Sequence, residues 1–421
     1  MDYAHWMLPL LLACAPDPST TSGTGATTTD DTAAEHDGPA WYGDVDAIVV
    51  ENCSGCHADG DVAPFPLGTY AEALPMASAM ADAVTDRRMP PWKASAECNS
   101  YRGDLSLSDA EIERVVAWAE AGAPEGDPAR ASQAEAPVAT LSRVDFDLPM
   151  PEAYTPQIAP DDYRCILLEW PETDTVYVTG YQVNPSNRGI VHHVVMYLAA
   201  PGVVDLYRAA DEAEAGVGYT CFGGPGVVDQ DDADWLGGWA PGATNGDFPN
   251  GTGIRVEPGS LVVMQMHYNT SAVDPAPDQS SVDFMVEDSV ENPAYIQPWA
   301  DPAWLDGSGM TIPANSEGTA HSFSYTIPYD FRIHTANLHM HTFGQTARLS
   351  VKQSDGTEVC LLDIADWDFN WQRTYVLAEP LSVEKPTITV ECSWDNPTDE
   401  DLDWGEGTGD EMCLGTMLFS Y

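Results

Sequence analysis

The stretch SLVVMQMHYNT, residues 260–270, predicts the fold class of the larger part of the chain. It is a short run of apolar residues that follows a Pro-Gly turn and ends in polar residues. Similar segments recur, separated by Gly, Pro and Asp turns: TVYVTGYQV (175–183), TARLSVKQ (346–353) and TITVECSW (387–394). Short strands spaced in this way are typical of antiparallel β-sandwiches. We therefore predict an all-β region after residue 144.

Histidines stand out in three segments of this region: His192-His193 in GIVHHVVMYL, His267 in VVMQMHYNT and His339-x-His341 in NLHMHTFGQ. Residues two apart on a strand face the same side, so His339 and His341 can share one metal ion. Adjacent His192 and His193 point to opposite faces of a regular strand, and they can bind one ion only at a strand end or a bulge. His267 taken alone is better explained as a buried core histidine.

The order of these motifs resembles that of one metalloenzyme family. Between residues 160 and 421, HH is followed by QxHY, HxH and EMC, as in the copper type II, ascorbate-dependent monooxygenases, the family of the peptidylglycine α-hydroxylating and dopamine β-monooxygenases. The stretch GGWAPGATNGDFPNGTGIRVEPGSLVVMQMHYN (237–269) is similar to the family's run into its third histidine. The resemblance implies two jelly-roll-like β-sandwich domains, 145–290 and 291–421, each holding one copper at the cleft between them.

The resemblance also implies which residues hold the two coppers. The electron-transfer copper, CuH, is expected on three imidazoles: His192, His193 and His267. The oxygen-binding copper, CuM, is expected on three catalytic residues: His339, His341 and Met412. Met412 matches the methionine of the family's EMC motif. The nearby Met417 is better explained as a core residue of a strand. A thioether beside imidazoles suits Cu(I) and argues against zinc.

The substrate is not specified by the resemblance. In the peptide-hydroxylating member, an arginine two residues before HxH and a tyrosine four residues after the ligand methionine bind the peptide, but this chain has Asn337 and Thr416 there. We therefore do not expect amidation of glycine-extended peptides. The expected reaction is O2-dependent hydroxylation of an activated C–H bond in a small organic substrate. His321 and His334 have no family counterpart, and we expect them in surface or core positions.

The segment ENCSGCHADG, residues 51–60, predicts a covalently attached haem c. Cys53-x-x-Cys56-His57 has the spacing that places two thioether bonds and one axial histidine on a haem. The same spacing also occurs by chance or as half of a zinc site, so the flanking sequence has to decide between these interpretations.

The flanks of this motif favour haem. WYGDVDAIVVEN (41–52) places apolar residues at helical spacing, and LSLSDAEIERVVAWAEAGAP (105–124) begins with a capping box and continues with an apolar stripe. These flanks resemble the helices of a small all-α class I cytochrome c domain. We expect this domain at 41–126, followed by a linker at 127–144.

A low-spin haem needs a second axial ligand, and Met89 in TDRRMPPW is the expected one, as in similar bacterial cytochrome c domains. Met76 and Met80 are alternatives, although their spacing is more easily explained as a helix core. The haem would relay electrons from a periplasmic donor or an ascorbate-like reductant to CuH and then to CuM. Other interpretations are a non-hydroxylating haem and copper electron-transfer module or a copper-binding lipoprotein.

The cysteines fit an oxidising compartment. The family resemblance implies two disulfides: Cys165–Cys221 and Cys392–Cys413. Cys98 and Cys360 stay unassigned, and a bond between them would join the haem domain to the second copper domain.

The N-terminal sequence predicts an exported lipoprotein. Residues 1–13 end in Leu-Leu-Ala before Cys14, a pattern similar to a bacterial lipoprotein signal, and residues 14–40 have the composition of a disordered tether. We expect lipidation at Cys14 and a periplasmic or outer-surface location in a bacterium. The formal net charge of -51 argues against nucleic acid as a partner. A monomer that meets the membrane only through its lipid anchor is expected.

Overall fold

The computed structural model describes residues 38–58, 63–135, 141–227, 233–240, 246–249, 251–271, 273–305, 307–407 and 409–421. The expected signal at 1–13, the lipidation site Cys14 and most of the tether lie outside the described residues. Gly38–Tyr421 forms one compact unit. Within the part that the structure describes, no helix is both long and apolar enough to cross a membrane.

The N-terminal part of this unit is helical. Its helices are α1 (Asp46–Asn52), α2 (Tyr70–Ala73), α3 (Ala77–Thr85) and α4 (Asp109–Glu120). The capping box predicted at the start of α4 is present, since the Ser108 side chain accepts from the Glu111 N–H and the Glu111 carboxylate accepts from the Ser108 N–H. The helices pack around a core of their own that includes Trp41 and Trp118, whose rings lie 5.6 Å apart.

The remainder is built from strands, as predicted. The first group is β1 (Phe146–Pro149), β2 (Asp161–Glu169), β3 (Val176–Asn184), β4 (Val191–Ala199), β5 (Tyr219–Thr220), β6 (Ala233–Trp239), β7 (Gly246–Asp247), β8 (Thr252–Val256), β9 (Leu261–Asn269) and β10 (Ser281–Glu287). The second group is β11 (Asn292–Trp299), β12 (Ser316–Thr326), β13 (Phe331–His339), β14 (Gly344–Lys352), β15 (Glu358–Ile364), β16 (Tyr375–Val383), β17 (Thr387–Asn396) and β18 (Leu414–Ser420). Helices α5 (Val204–Ala213) and α6 (Pro302–Leu305) lie between strands. The four segments that the sequence predicts as strands are β3, β9, β14 and β17.

Two sheets contain the described strands. The larger sheet has the strand order β1-β10-β3-β8-β11-β6-β4-β9-β2-β5. Four further strands are attached to it: β7 pairs with β3, β18 pairs with β11 and β13, and β13 pairs with β16. The smaller sheet has the order β12-β17-β14-β15. Strand β17 alternates between buried and more exposed residues, because one face packs on a core, whereas eight successive residues of β9 are buried. This arrangement is consistent with the predicted β-sandwich domains.

Residues 92–102 follow the first three helices but pack into the core of the second strand group. They form isolated bridges with β15 and β16. The Tyr101 hydroxyl donates to the Leu361 carbonyl at 2.8 Å, and Cys98 is joined to Cys360 in a disulfide. The helical region is therefore covalently attached to the second strand group, which the sequence left open.

The structure also contains the two disulfides that the family resemblance implies: Cys165–Cys221 and Cys392–Cys413. The first lies in a small core beside α5, and the second connects β17 to the segment that precedes β18. Three disulfides in one chain are typical of exported proteins.

Candidate metal centres

His192, His193 and His267 come together at one end of the β4–β9 strand pair, and we call them the three-histidine cluster. His193 lies opposite His267 in the strand register, and Val191 lies opposite Tyr268, so the pairing skips His192. This irregularity is the bulge that two adjacent histidines need to face one ion. Because β9 is a buried central strand, His267 is held in a fixed position and is 2% exposed.

The three side chains present the same ring atom to one another. The Nδ1 atoms of His192 and His193 are 3.3 Å apart, and the Nδ1 atom of His267 lies 3.2 Å from each of them. A point equidistant from three atoms at this spacing lies about 1.9 Å from each, close to the roughly 2.0 Å of a metal–imidazole bond. The donor set therefore fits one metal ion.

The ring nitrogen of His267 that faces away from this point has its own partner. Its Nε2 atom lies 2.8 Å from Oδ1 of Asp161, which also accepts from the Asn269 side chain at 2.9 Å. A carboxylate only accepts, so Nε2 carries the proton and Nδ1 keeps its lone pair for a metal. The Tyr163 ring stacks on His267 at 4.1 Å and restricts its rotation.

His339 and His341 form a second group, the HxH cluster, at the end of β13, and their ring centroids are 5.1 Å apart. In this cluster it is the Nδ1 atom of each ring that has a hydrogen-bond partner in the protein. The His339 Nδ1 atom lies 2.5 Å from Oε1 of Gln372, and the His341 Nδ1 atom lies 3.0 Å from the carbonyl oxygen of Asp410. Both partners accept, so both Nδ1 atoms donate and both Nε2 atoms keep a lone pair.

Met412 lies on the segment that holds this cluster in place. The preceding residue, Glu411, is fully buried, and its carboxylate accepts from the backbone N–H of His341 at 3.0 Å and from that of Phe343 at 2.6 Å. Burial raises the pKa of Glu411, and these hydrogen bonds oppose the rise. Met412 is 5% exposed. By contrast, Met417 pairs with Gln297 within the sheet and packs in the second core.

Burial favours the neutral form of four of these imidazoles. It lowers the pKa of His192 to about 4 and that of His341 to about 3, and nearby histidines lower both further. The pKa values of His193 and His339 are also lowered, again chiefly by burial. Since only neutral imidazole binds a metal, burial shifts these four side chains toward the form that binds.

The two clusters face each other. The ring centroids of His193 and His339 are 6.3 Å apart. The Phe369 ring stacks on His192 at 5.0 Å and meets His341 edge-on at 6.0 Å. No spacing or motif connects the histidines to three residues that contact them, Phe369, Asp161 and Gln372, so these three could not be predicted from the sequence.

The proposed haem segment has compatible donors. The His57 Nδ1 atom lies 2.9 Å from the carbonyl oxygen of Phe65, so Nδ1 donates and Nε2 keeps its lone pair. Neither Cys53 nor Cys56 takes part in a disulfide, and burial raises the pKa of Cys53 to about 12. Of the methionines considered, Met89 lines a cavity of about 60 Å³ together with Val84, Pro90, Trp92, Leu107 and others.

The alternative haem ligands and the unassigned histidines have different surroundings. Met80 is buried in the helical core, and Met76 packs against it. His321 bonds the carbonyl oxygen of Thr311 through Nε2 at 3.0 Å. His334 is fully buried, and its Nε2 atom lies 2.8 Å from Oγ of Ser420. Asn337 and Thr416, the two positions that depart from the peptide-hydroxylating enzyme, lie opposite each other in the β13–β18 register.

Comparison with known proteins supports a copper monooxygenase family for the first strand group. Residues 146–274 match the family model of the copper type II ascorbate-dependent monooxygenase N-terminal domain. This range contains the three-histidine cluster but neither the HxH cluster nor the Cys53–His57 motif. No curated protein matches the chain.

Solved structures give only remote likenesses. A xanthan lyase from Paenibacillus is 10% identical over 65% of this chain, which spans 25% of the lyase, with a TM-score of 0.18. The VP2 subviral particle of infectious bursal disease virus is 11% identical over 67% of this chain and 72% of its own, with a TM-score of 0.18. An allantoicase is 10% identical over 65% of this chain and 83% of its own, with a TM-score of 0.19. At these TM-scores the likenesses carry no argument.

Proposed function

We propose that this protein is a dicopper monooxygenase that uses O2 to hydroxylate an activated C–H bond of a small organic substrate, with electrons supplied through a fused haem c. One observation carries the proposal: three Nδ1 atoms converge at 3.2–3.3 Å, and a second imidazole pair faces them across 6.3 Å between ring centroids. The family match of residues 146–274 supports copper at the first of these sites.

The two clusters divide the ligands as follows. The three-histidine cluster would hold one copper through its Nδ1 atoms, and the HxH cluster would hold the other through its Nε2 atoms together with the Met412 thioether. A soft sulfur ligand favours Cu(I). Bound copper would supply one-electron redox chemistry and the activation of O2.

The surrounding residues orient the ligands. Asp161 holds the proton of His267 on Nε2, and Gln372 holds that of His339 on Nδ1. Glu411 ties the His341 backbone to the segment of Met412. The Phe369 ring contacts one histidine of each cluster and restricts the rotation of both.

The CxxCH segment would hold a haem c through thioether bonds from Cys53 and Cys56, with His57 as one axial ligand and Met89 as the other. We propose that residues 41–126 are a cytochrome c domain that supplies single electrons to the coppers. The family resemblance suggests that the three-histidine site receives them first and the HxH site second. An external one-electron donor, a periplasmic protein or an ascorbate-like reductant, would re-reduce the haem.

We further propose that the protein is exported and anchored by lipid at Cys14. The three disulfides support an oxidising compartment, and the formal charge of -51 argues against nucleic acid as a partner. A haem and copper electron-transfer module, or a copper-binding lipoprotein, is the alternative function. The buried Met412 beside the HxH cluster favours the enzyme, because a thioether stabilises Cu(I), the state that reacts with O2.

Metal analysis of the matured protein, combined with stopped-flow spectroscopy of its haem, tests the proposal. We expect two coppers per iron and O2-dependent reoxidation of ferrous haem in the presence of copper. Met412→Ile should abolish the O2-dependent phase while the three-histidine site keeps its copper, and Met417→Ile controls for loss of a buried methionine. One copper or none per chain would refute the dicopper assignment, and exchangeable copper without O2 consumption would favour the copper-binding alternative.

A further inference from the structure

Residues 365–374, the bridging loop between β15 and β16, contact both histidine clusters. The Phe369 ring stacks on His192 of the three-histidine cluster. Gln372 accepts a hydrogen bond from His339 of the HxH cluster at 2.5 Å. The Trp367 indole N–H also donates to the carbonyl oxygen of His341 at 3.0 Å. One short loop therefore connects the surroundings of two sites that lie on different strands.

The far end of the bridging loop contacts the helical region. The Arg373 guanidinium lies over the ring of Trp92, 4.9 Å from its centroid, and Trp92 meets Tyr375 edge-on at 5.0 Å. Trp92 in turn lines the cavity of Met89, the proposed axial ligand. The guanidinium thus reaches the lining of that cavity through one aromatic ring.

Both ends of the bridging loop are anchored by the same N-terminal segment. The Ser95 N–H donates to the Asp363 carbonyl at 2.9 Å just before the loop, and the Arg102 N–H donates to the Val376 carbonyl at 2.8 Å just after it. The disulfide of Cys98 reinforces this attachment. Residues 92–102 are therefore attached to both ends of the bridging loop, on either side of the Trp92–Arg373 contact.

We infer that the bridging loop is the electron-entry element of this protein, with Arg373 as the positioning residue that holds it against Trp92 and so against the lining of the Met89 cavity. The inference rests on the proposed function. Each transfer oxidises ferrous haem iron to ferric and reduces one Cu(II) to Cu(I), with no proton or bond exchanged. The external one-electron reductant then restores the ferrous haem.

The test follows haem absorbance after the ferric, copper(II)-loaded protein is mixed, without O2, with less than one equivalent of dithionite. The haem is reduced and is then reoxidised as the electron passes to copper. We expect Arg373→Met to slow this reoxidation roughly tenfold, which corresponds to about 1.4 kcal/mol of barrier. Arg255→Met, at an exposed arginine on β8 that pairs with Glu257 away from the loop, is the matched control and should reoxidise its haem as the wild type does.

Arg373→Lys keeps a cation near Trp92 and should give an intermediate rate, which keeps the test decisive if Arg373→Met binds metal poorly. Copper content, the haem spectrum and the unfolding temperature show whether each variant is intact. Wild-type reoxidation in an intact Arg373→Met protein would overturn the inference and leave the proposed function standing. A wild-type protein without haem, or with fewer than two coppers, would instead refute the proposed function.

Discussion

Asp161 offers a specific test of how the three-histidine cluster is prepared for metal. Asp161 is the first residue of β2. Its Oδ1 atom lies 2.8 Å from Nε2 of His267 and 2.9 Å from Nδ2 of Asn269. His267 is 2% exposed, and its Nε2 atom has the Asp161 carboxylate as its acceptor. We predict that Asp161→Ala weakens copper binding at this cluster without removing any ligand.

The magnitude follows from the tautomer of His267. With Asp161 present, the proton stays on Nε2, and Nδ1 is free for the metal. Without it, the neutral ring gains by placing its proton on Nδ1, where it competes with the metal. Removing an outer partner of this kind typically lowers metal affinity roughly 10- to 100-fold, or about 1.4–2.8 kcal/mol. Asp161→Asn retains an accepting oxygen and loses only the charge, so a loss of less than about tenfold is expected.

Competition for Cu(I) between the protein and a coloured chelator measures the effect. The measurement is made in the Met412→Ile background, so that the three-histidine cluster dominates the titration. Asp174→Ala, an exposed carboxylate before β3, is the control for loss of one negative charge. Equal affinities for Asp161→Ala and the control, with unchanged unfolding temperatures, would show that the Asp161–His267 contact does not prepare the site.

Two further predictions concern stability. Replacing Cys98 and Cys360 together by Ser should lower the free energy of unfolding by about 2–5 kcal/mol, because the disulfide closes a loop of 262 residues, and an unchanged urea midpoint would contradict this. Burial lowers the pKa of His334 to about 4, and nearby Arg332 lowers it further. As the pH is lowered, His334 is protonated near pH 6.5 in the unfolded chain but only near pH 4 in the folded chain. The free energy of unfolding therefore decreases as the pH is lowered from 6.5 to 4. The loss is about 2 kcal/mol at pH 5, and His334→Gln should remove it in urea unfolding at pH 5 and pH 7.

Much of the local structure could be predicted from the sequence because it depends on neighbouring residues. Alternating apolar residues predict β14 and β17, and the capping box at Ser108 predicts the start of α4. The kinds of metal ligand are also local information, since HH, HxH and a methionine before a cysteine can be recognised without a fold. Spacing also restricted the options for His192 and His193 to a strand end or a bulge.

Only the tertiary structure decided how these parts meet. The bulge at His192 depends on the register of β4 against β9, and the contact of Asp161 with His267 joins residues 106 apart in the chain. The choice of Nδ1 in one cluster and Nε2 in the other follows from the partners that packing brings to the opposite nitrogens. Local sequence carries no signal for such pairs, because long-range packing energy selects them.

The same reason explains the placement of residues 92–102. By sequence they belong with the helices of the CxxCH region, yet they complete the core of the second strand group and join it through Cys98–Cys360. The spacing of the cysteines does not show whether Cys98 and Cys360 are bonded, since a disulfide requires only that two cysteines become neighbours in the fold. The sequence by itself thus determined the candidate ligand types and the strands that carry them, and the fold decided which residues orient those side chains and where residues 92–102 join the second strand group.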